Sequence, residues 1–328
     1  VMAVLGFTGG LLHVLNHSIF KSLLFMGAGI VIRNTGTRAI DALGGLLKDM
    51  KITGITFLIG SLAICGLPPF NGFVSEFLVY LAGFKGVAPA GPGFVWCVLA
   101  IVSLAVIGGL ALACFSKVVG VVFQGEPRSR AARDVDEKGG TMLAALVVLA
   151  GACAVIGVFP GAFVRMALQA VADLGLPYGR VPVAPFLRIT ENITLAAAVF
   201  LLVFLMVLAL RTLLYRGKTV GRAGTWGCGF TRPTVKMQYT GSSYAASILE
   251  FFRPVAPLEE DHPAIRGRFP EKTRYKSHVN DIAELHMGNL IVRPVLWLFD
   301  RLRWIQHGDI HLYIGYILLA IVVLLFFI

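Results

Sequence analysis

Charge is what this sequence has least of. Asp, Glu, Lys and Arg make up only 14% of its 328 residues, against 57% hydrophobic side chains. A soluble domain carries about 25% charged residues, so a chain solvated over its whole surface is excluded. Cysteine is also sparse. Cys65, Cys97, Cys114, Cys153 and Cys228 are scattered, four of them in apolar runs, with no C-x-x-C pair. That spacing argues against an iron–sulfur cluster, a zinc site or a disulfide framework carried by this chain. An H-E-x-x-H pattern and a glycine-rich nucleotide fingerprint are missing too, and no cofactor or metal is expected here. Ten-residue pieces of alternating polarity, the mark of a transmembrane barrel, do not occur. Val1-Met2-Ala3-Val4-Leu5-Gly6 opens inside an apolar run, without a charged leader or a small-residue cleavage pattern. The expectation is a fragment of a longer chain.

What is present is a series of apolar runs of about 20 residues or more, each long enough to cross a hydrocarbon layer of about 30 Å as a helix. They cover 2–32, 52–84, 94–116, 141–163, 191–213 and 308–328. The fold class is therefore all-α and polytopic. It has about six spans, one of them interrupted, with a lateral amphipathic arm and a final anchoring helix. The expected organisation is a bundle over 1–216, a loop and arm over 217–307, and an anchor over 308–328.

A net charge of +11 could suggest nucleic acid, but the charges sit in the connections between apolar runs. Connection 33–51 holds Arg33, Arg38, Lys48 and Lys51, and 117–140 holds Lys117, Arg128, Arg130, Arg133 and Lys138. After the fifth run come Arg211, Arg216, Lys218, Arg222, Arg232 and Lys236, with no acid among them. The alternate connections are poorer, with Lys85 in one and Arg165, Arg180 and Arg188 in the other. The bias places 33–51, 117–140 and the region from 217 on one side, the cytoplasmic one. The partner this implies is a lipid bilayer, not nucleic acid.

Run 52–84 is too long for one straight span and contains Gly66-Leu67-Pro68-Pro69-Phe70. Two prolines remove two backbone donors and clash with the preceding turn, so two half-helices are expected. A break at membrane depth requires neighbouring protein or a wet cavity to satisfy the freed carbonyls, and such breaks are common at ion pathways. Glu76 is the only acid of this run. In 217–307, the middle from Pro257 to Lys276 reads as irregular and solvated. Amphipathic pieces flank it at Ser243–Arg253 and Val279–Ile305, the second interrupted by Pro294. With Trp297 and Trp304, the longer piece suits a membrane interface or the flank of a neighbouring subunit.

The ionisable residues inside apolar runs carry the functional signal. His13, His17 and Lys21 stand at four-residue steps and share one helix face. A charge at the bilayer centre costs about 2.5–3.5 kcal/mol on insertion scales. Packing histidines with a snorkelling lysine are the bland account of these residues; a metal site lacks a nearby acid on the same helix. The functional account is a proton path along His13, His17, Lys21 and Glu76. Imidazole titrates near neutral pH and can accept on one nitrogen while releasing from the other. Groups one turn apart stand about 6 Å from each other, so water must bridge them, and Asn16, Asn71 and Ser75 are candidates to hold it. Ser61 and Ser103 are expected to hydrogen-bond between helices.

These residues carry a resemblance. His13-x-x-x-His17-x-x-x-Lys21-x-x-Leu24-Phe25-Met26-x-Ala28-Gly29, then Gly44-Gly45-Leu46, then Ile59-Gly60-x-Leu62-Ala63-x-x-Gly66-Leu67-Pro68-Pro69-Phe70-x-Gly72-Phe73-x-Ser75-Glu76 follow one another in order. They resemble the proton-translocating antiporter-like subunits shared by respiratory complex I, membrane-bound hydrogenases and Mrp antiporters. The stretches Thr225–Ala245 and Arg303–Tyr313 resemble the branch typified by hydrogenase-4 component B and formate hydrogenlyase subunit 3. The resemblance implies a polar axis through His13, His17 and Lys21, with Glu76 as terminal group on the broken helix. Some members carry Lys where this chain has Glu76, so a lysine-based exit step does not transfer. It also implies a first inverted repeat that this sequence does not contain, and an arm that braces adjacent subunits.

With this resemblance, the function expected is proton translocation in the membrane part of a hydrogenase-4, formate hydrogenlyase or NADH:quinone oxidoreductase type of complex. Redox chemistry would lie in partner chains, namely other membrane subunits and a soluble hydrogenase or dehydrogenase arm carrying iron–sulfur clusters. The setting would be a bacterial or archaeal cell membrane. The alternatives are a subunit of an Mrp-type cation/proton antiporter and a structural clamp without conduction.

Overall fold

In a bilayer every backbone polar group must find its partner inside the protein, and apolar runs of this length meet that demand as helices. The computed structural model describes residues 2–88, 91–174, 183–219, 221, 228–230, 232, 234–254, 258–261, 276–279, 287–303 and 308–327. The chain divides into two units, Val1–Tyr244 and Ala245–Ile328.

The first unit holds α1 (Met2–Thr35), α2 (Lys51–Ile64), α3 (Asn71–Val87), α4 (Phe94–Val118), α5 (Gly140–Val158), α6 (Gly161–Asp173) and α7 (Val183–Tyr215). α4 continues as a wider π-helical turn over Val119–Phe123. α8 (Gly241–Phe252) starts in this unit. The protein is thus an α-helical membrane protein, as the apolar runs indicate. Met2–Thr35, Phe94–Phe123, Gly140–Val158 and Arg188–Tyr215 are each long and apolar enough to cross a bilayer.

α1 is the hub of the bundle, packed against α2, α3, α5 and α6. Its core-facing residues fall into two buried clusters. Val4, Leu5 and Leu12 meet Val74, Leu78 and Ala82 of α3 and Val164, Ala167, Leu168 and Val171 of α6. Phe20, Leu23, Leu24 and Ile30 meet Phe57 of α2, Leu43, Leu46 and Met50 of the first connection, and Leu146, Ala150 and Cys153 of α5. Asn16 lies on α1 between these two sets. Close approach depends on small residues: Gly9 stands against Leu78 and Val79, Gly27 against Phe57, and Gly60 against Leu23 and Leu24.

The break between α2 and α3 closes on its own backbone. Gly66 takes a left-handed conformation (φ +63°), the Leu67 amide reaches back to the Leu62 carbonyl (3.1 Å) and the Gly66 amide to the Ala63 carbonyl (3.2 Å). This is a Schellman arrangement, in which glycine ends a helix without steric cost and two orphan carbonyls are satisfied. The Pro68–Pro69 peptide that follows is cis. A side chain at Gly72, in the first turn of α3, would strike the Ala63 carbonyl, so the two half-helices meet backbone to backbone.

A second interruption sits beside the first, and it ends the span expected over 141–163 at Val158. The helix stops at Val158, passes Phe159-Pro160 and resumes as Gly161–Asp173. Gly157 stands against the Pro69 carbonyl and the Phe70 backbone, so the two breaks stack. Arg165, which the sequence places in a connection, is on the exposed side of α6, opposite buried Val164, Ala167, Leu168 and Val171.

The three lysine- and arginine-rich connections meet at one end of this unit. The Gly45 amide donates to the Gln124 carbonyl (2.8 Å) and the Leu47 amide to the Phe123 carbonyl (2.9 Å). The Arg128 guanidinium bridges the Leu43 carbonyl (2.8 Å) and the Tyr239 carbonyl (2.9 Å). The Gly241 amide donates to Asp41 Oδ1 (2.6 Å). Glu137 accepts from the Thr53 amide (2.7 Å), the Thr53 hydroxyl (2.7 Å) and the Ile52 amide (3.3 Å), capping the positive end of α2.

In the second unit, Leu258–Asp261 (β1) pairs antiparallel with Lys276–Val279 (β2), Leu258 opposite Val279 and Asp261 opposite Lys276. This ribbon occupies the ends of the region expected to be irregular; 262–275 lies outside the described residues. The arm appears as a π-helical turn, Gly288–Val292, leading into α9 (Arg293–Leu302) with Pro294 in its first turn. Residues 280–286 and 304–307 of the expected arm helix lie outside the described residues. Asp309 accepts from the His311 amide (2.9 Å) and caps α10 (Ile310–Phe326).

Candidate functional site

The site grows from the α1–α3 contact. Asn16 and Ser75 are each 0% exposed, as is Asn71, and buried amides and hydroxyls must be paired. Asn16 Nδ2 donates to the Asn71 carbonyl (2.8 Å) and to Ser75 Oγ (3.1 Å). Asn71 Nδ2 returns a bond to Asn16 Oδ1 (3.2 Å). His13 Nδ1 lies 3.1 Å from Ser75 Oγ. The residues expected to hold bridging water are thus bonded to one another and to the backbone.

The ladder on α1 runs along the edge of this seam. The rings of His13 and His17 are 6.0 Å apart at their centroids, and Phe20 presents an edge-on contact to both, 6.1 and 5.3 Å away. His13 and Lys21 are half-buried and His17 is exposed. The Lys21 ammonium lies 5.7 Å from the centre of the Phe25 ring, a cation–π contact one turn further along. Glu76 follows Ser75 in sequence but, one helical step round, faces the break. Its carboxylate stands against Gly66, where a side chain would collide with it. Among the described residues no hydrogen bond or ion pair joins Glu76 to His13, His17 or Lys21.

The structure therefore brings His13, Asn16, Asn71 and Ser75 into direct contact. It sets His17 and Lys21 along one helix edge and Glu76 at the break that Pro68 and Pro69 create. A cavity of about 270 Å³ opens between α2 and α4, lined among others by Gln124, Gly120, Ser116, Ser61 and Cys65. It extends from the end where the basic connections meet to the residue preceding Gly66. Ser61 donates to the Phe57 carbonyl of its own helix (2.8 Å), not between helices as expected, and Ser103 is exposed. Sequence reasoning missed the Phe159-Pro160 break behind the site. A proline after an apolar run, followed by apolar residues at 164, 167, 168 and 171, was the available signal.

Residues 1–108 match the family model described as NADH:quinone oxidoreductase/Mrp antiporter, TM. That segment contains every residue of the seam and the ladder. The chain is 32% identical to hydrogenase-4 component B of Escherichia coli (strain K12), over 99% of this chain and 50% of that protein. It is 35% identical to formate hydrogenlyase subunit 3 of the same strain, over 79% of this chain and 41% of that protein. The chain thus spans about half the length of the curated relatives it matches. In fold it is similar to a chain of the membrane-bound sulfane sulfur reductase, an archaeal respiratory membrane complex. The TM-score is 0.59 at 19% identity, covering 98% of this chain and 48% of that one.

Proposed function

We propose that this chain, which carries in residues 1–108 the transmembrane region of the NADH:quinone oxidoreductase/Mrp antiporter family, is a proton-translocating membrane subunit of a hydrogenase-type respiratory complex. The observation that supports this most is the coincidence of three features in one place. A helix carries His13, His17 and Lys21 at successive turns, a second helix is broken beside it, and a buried carboxamide–hydroxyl seam joins the two. Placing ionisable groups at membrane depth costs kilocalories each, and a broken helix there exposes backbone that must be re-satisfied. Their juxtaposition is what a chain needs to move protons and what a passive anchor does not.

The same layout supports a direction for the path. Lys21 and the histidines form the inner stretch along α1, and Glu76 at the α2–α3 break is the terminal exchanging group. The α2–α4 cavity supplies access toward that break from the end where connections 33–51, 117–140 and 217–307 begin, the cytoplasmic end by their charge. Electron transfer belongs to partner chains, a soluble arm with iron–sulfur clusters and further membrane subunits, and no cofactor is held here. The setting is a bacterial or archaeal cell membrane.

The test is proton pumping by the complete complex carrying Lys21→Ala or Glu76→Ala. Loss of pumping with assembly intact is the expected result. Unchanged pumping in both variants overturns the proposal in favour of a clamp without conduction.

A further inference from the structure

The hydrogen bonds of the α1–α3 seam bear on which nitrogen of His13 carries its proton. The Gly72 amide donates to Asn71 Oδ1 (3.0 Å), so the other end of that carboxamide is a donor, and it reaches Asn16 Oδ1 (3.2 Å). Asn16 must then present Nδ2 to the Asn71 carbonyl and to Ser75 Oγ. Two backbone groups thus orient both amides. The Ser75 hydroxyl directs its own hydrogen to the Gly72 carbonyl one turn back (3.0 Å). A hydroxyl has one hydrogen and two lone pairs. With the hydrogen on Gly72 and one lone pair taken by Asn16, what remains for His13 Nδ1, 3.1 Å away, is an acceptor.

We infer that Ser75 holds neutral His13 as its Nδ1–H tautomer, which makes Ser75 a positioning residue and His13 a proton carrier working through Nε2 alone. A proton that binds Nε2 gives an imidazolium with both N–H bonds in place. Ser75 cannot take or pass on the Nδ1 proton, because a neutral hydroxyl is a far weaker base than imidazole and its own hydrogen is directed to the Gly72 carbonyl. The proton therefore leaves from Nε2, and each cycle binds and returns one proton there with the Nδ1–H bond untouched. The usual through-ring relay, in on one nitrogen and out on the other, is closed at His13. It stays open at His17, 6.0 Å away, whose ring nitrogens make no hydrogen bond among the described residues. Within the path, His13 therefore takes and returns its proton on the Nε2 side of the ring.

The functional meaning of this inference rests on the proton-path proposal, while the tautomer itself is measured independently. In the full-length membrane-embedded protein labelled with 15N-histidine, the His13 resonances are identified by subtracting the spectrum of His13→Gln. Neutral His13 is expected to show a protonated Nδ1 and a bare Nε2. Ser75→Ala should convert it to the Nε2–H form, and Ser75→Thr, which keeps the hydroxyl, should not. An Nε2–H ring in the unaltered protein, or a Ser75→Ala spectrum unchanged from it, overturns the inference. Should Ser75→Ala not assemble, the unaltered protein and Ser75→Thr decide alone. A protonated Nδ1 together with undiminished pumping in Lys21→Ala and Glu76→Ala removes the proton path and keeps the tautomer. An Nε2–H ring with pumping lost in those variants does the reverse.

Discussion

α1 and α4 are both long apolar helices, yet 39% of the most apolar stretch of α1 is buried inside the chain and none of that of α4. The difference is not hydrophobicity, since α4 is the more apolar of the two. In lipid, apolar surface gains nothing further by meeting apolar surface. What gives α1 its neighbours is small residues that admit another backbone, such as Gly9 against Leu78, and a pair of amides that can satisfy each other. α4 has Gly108 and Gly109, but both face open space. Spanning a membrane and choosing a partner within it are separate properties of a helix.

The sharpest way to break that comparison is to place the same side chain on both sides of it. Gly72→Leu drives a side chain into the Ala63 carbonyl at the break, whereas Gly108→Leu points into free space. The first should cost about 3 kcal/mol or more and abolish recovery of folded protein from detergent. The second should stay within about 0.5 kcal/mol. Thermal unfolding of the purified variants measures both, and equal losses would show that the free face of α4 is covered in the complete protein. Asn16→Leu is next. It strands the Asn71 and Ser75 groups it now pairs, at about 1–3 kcal/mol, while Ser103→Ala on α4 should leave the melting temperature unchanged.

Smaller effects are expected at the end where the connections meet. Glu137→Ala removes the acceptor for the first amides of α2 and should cost about 1 kcal/mol. Protease cleavage within 124–138 should rise accordingly. Lys48→Ala breaks an ion pair with Glu126 (2.6 Å) whose side chains are 59% and 64% exposed. Exposed pairs contribute well under about 1 kcal/mol, so this variant should be indistinguishable from the parent protein by the same assay.

The legible part of the fold was whatever a local rule governs. Pro68-Pro69 announced a helix end, and a Schellman cap at Gly66 is what stands there. The basic residues of three connections announced a common side, and 41–47, 121–128 and 238–241 are hydrogen-bonded together. The Phe159-Pro160 break was less legible, because one proline can also sit in the first turn of a helix without interrupting it. The ribbon of Leu258–Asp261 and Lys276–Val279 was illegible, since its pairing joins two short polar segments far apart in sequence.

By itself the sequence determined the membrane-spanning helices, the break before α3 and the shared face of His13, His17 and Lys21, since these follow from apolar run length, proline geometry and 3.6 residues per turn. Only the tertiary structure decided that His13 is tied to Ser75 while Glu76, the next residue, turns to Gly66 at the break. That choice depends on how far α3 is rotated and shifted against α1. One residue of a helix turns through about 100°, so neighbours in sequence face different surroundings, and the Asn16 bonds to Asn71 and Ser75 with the close approach at Gly9 hold the rotation seen here.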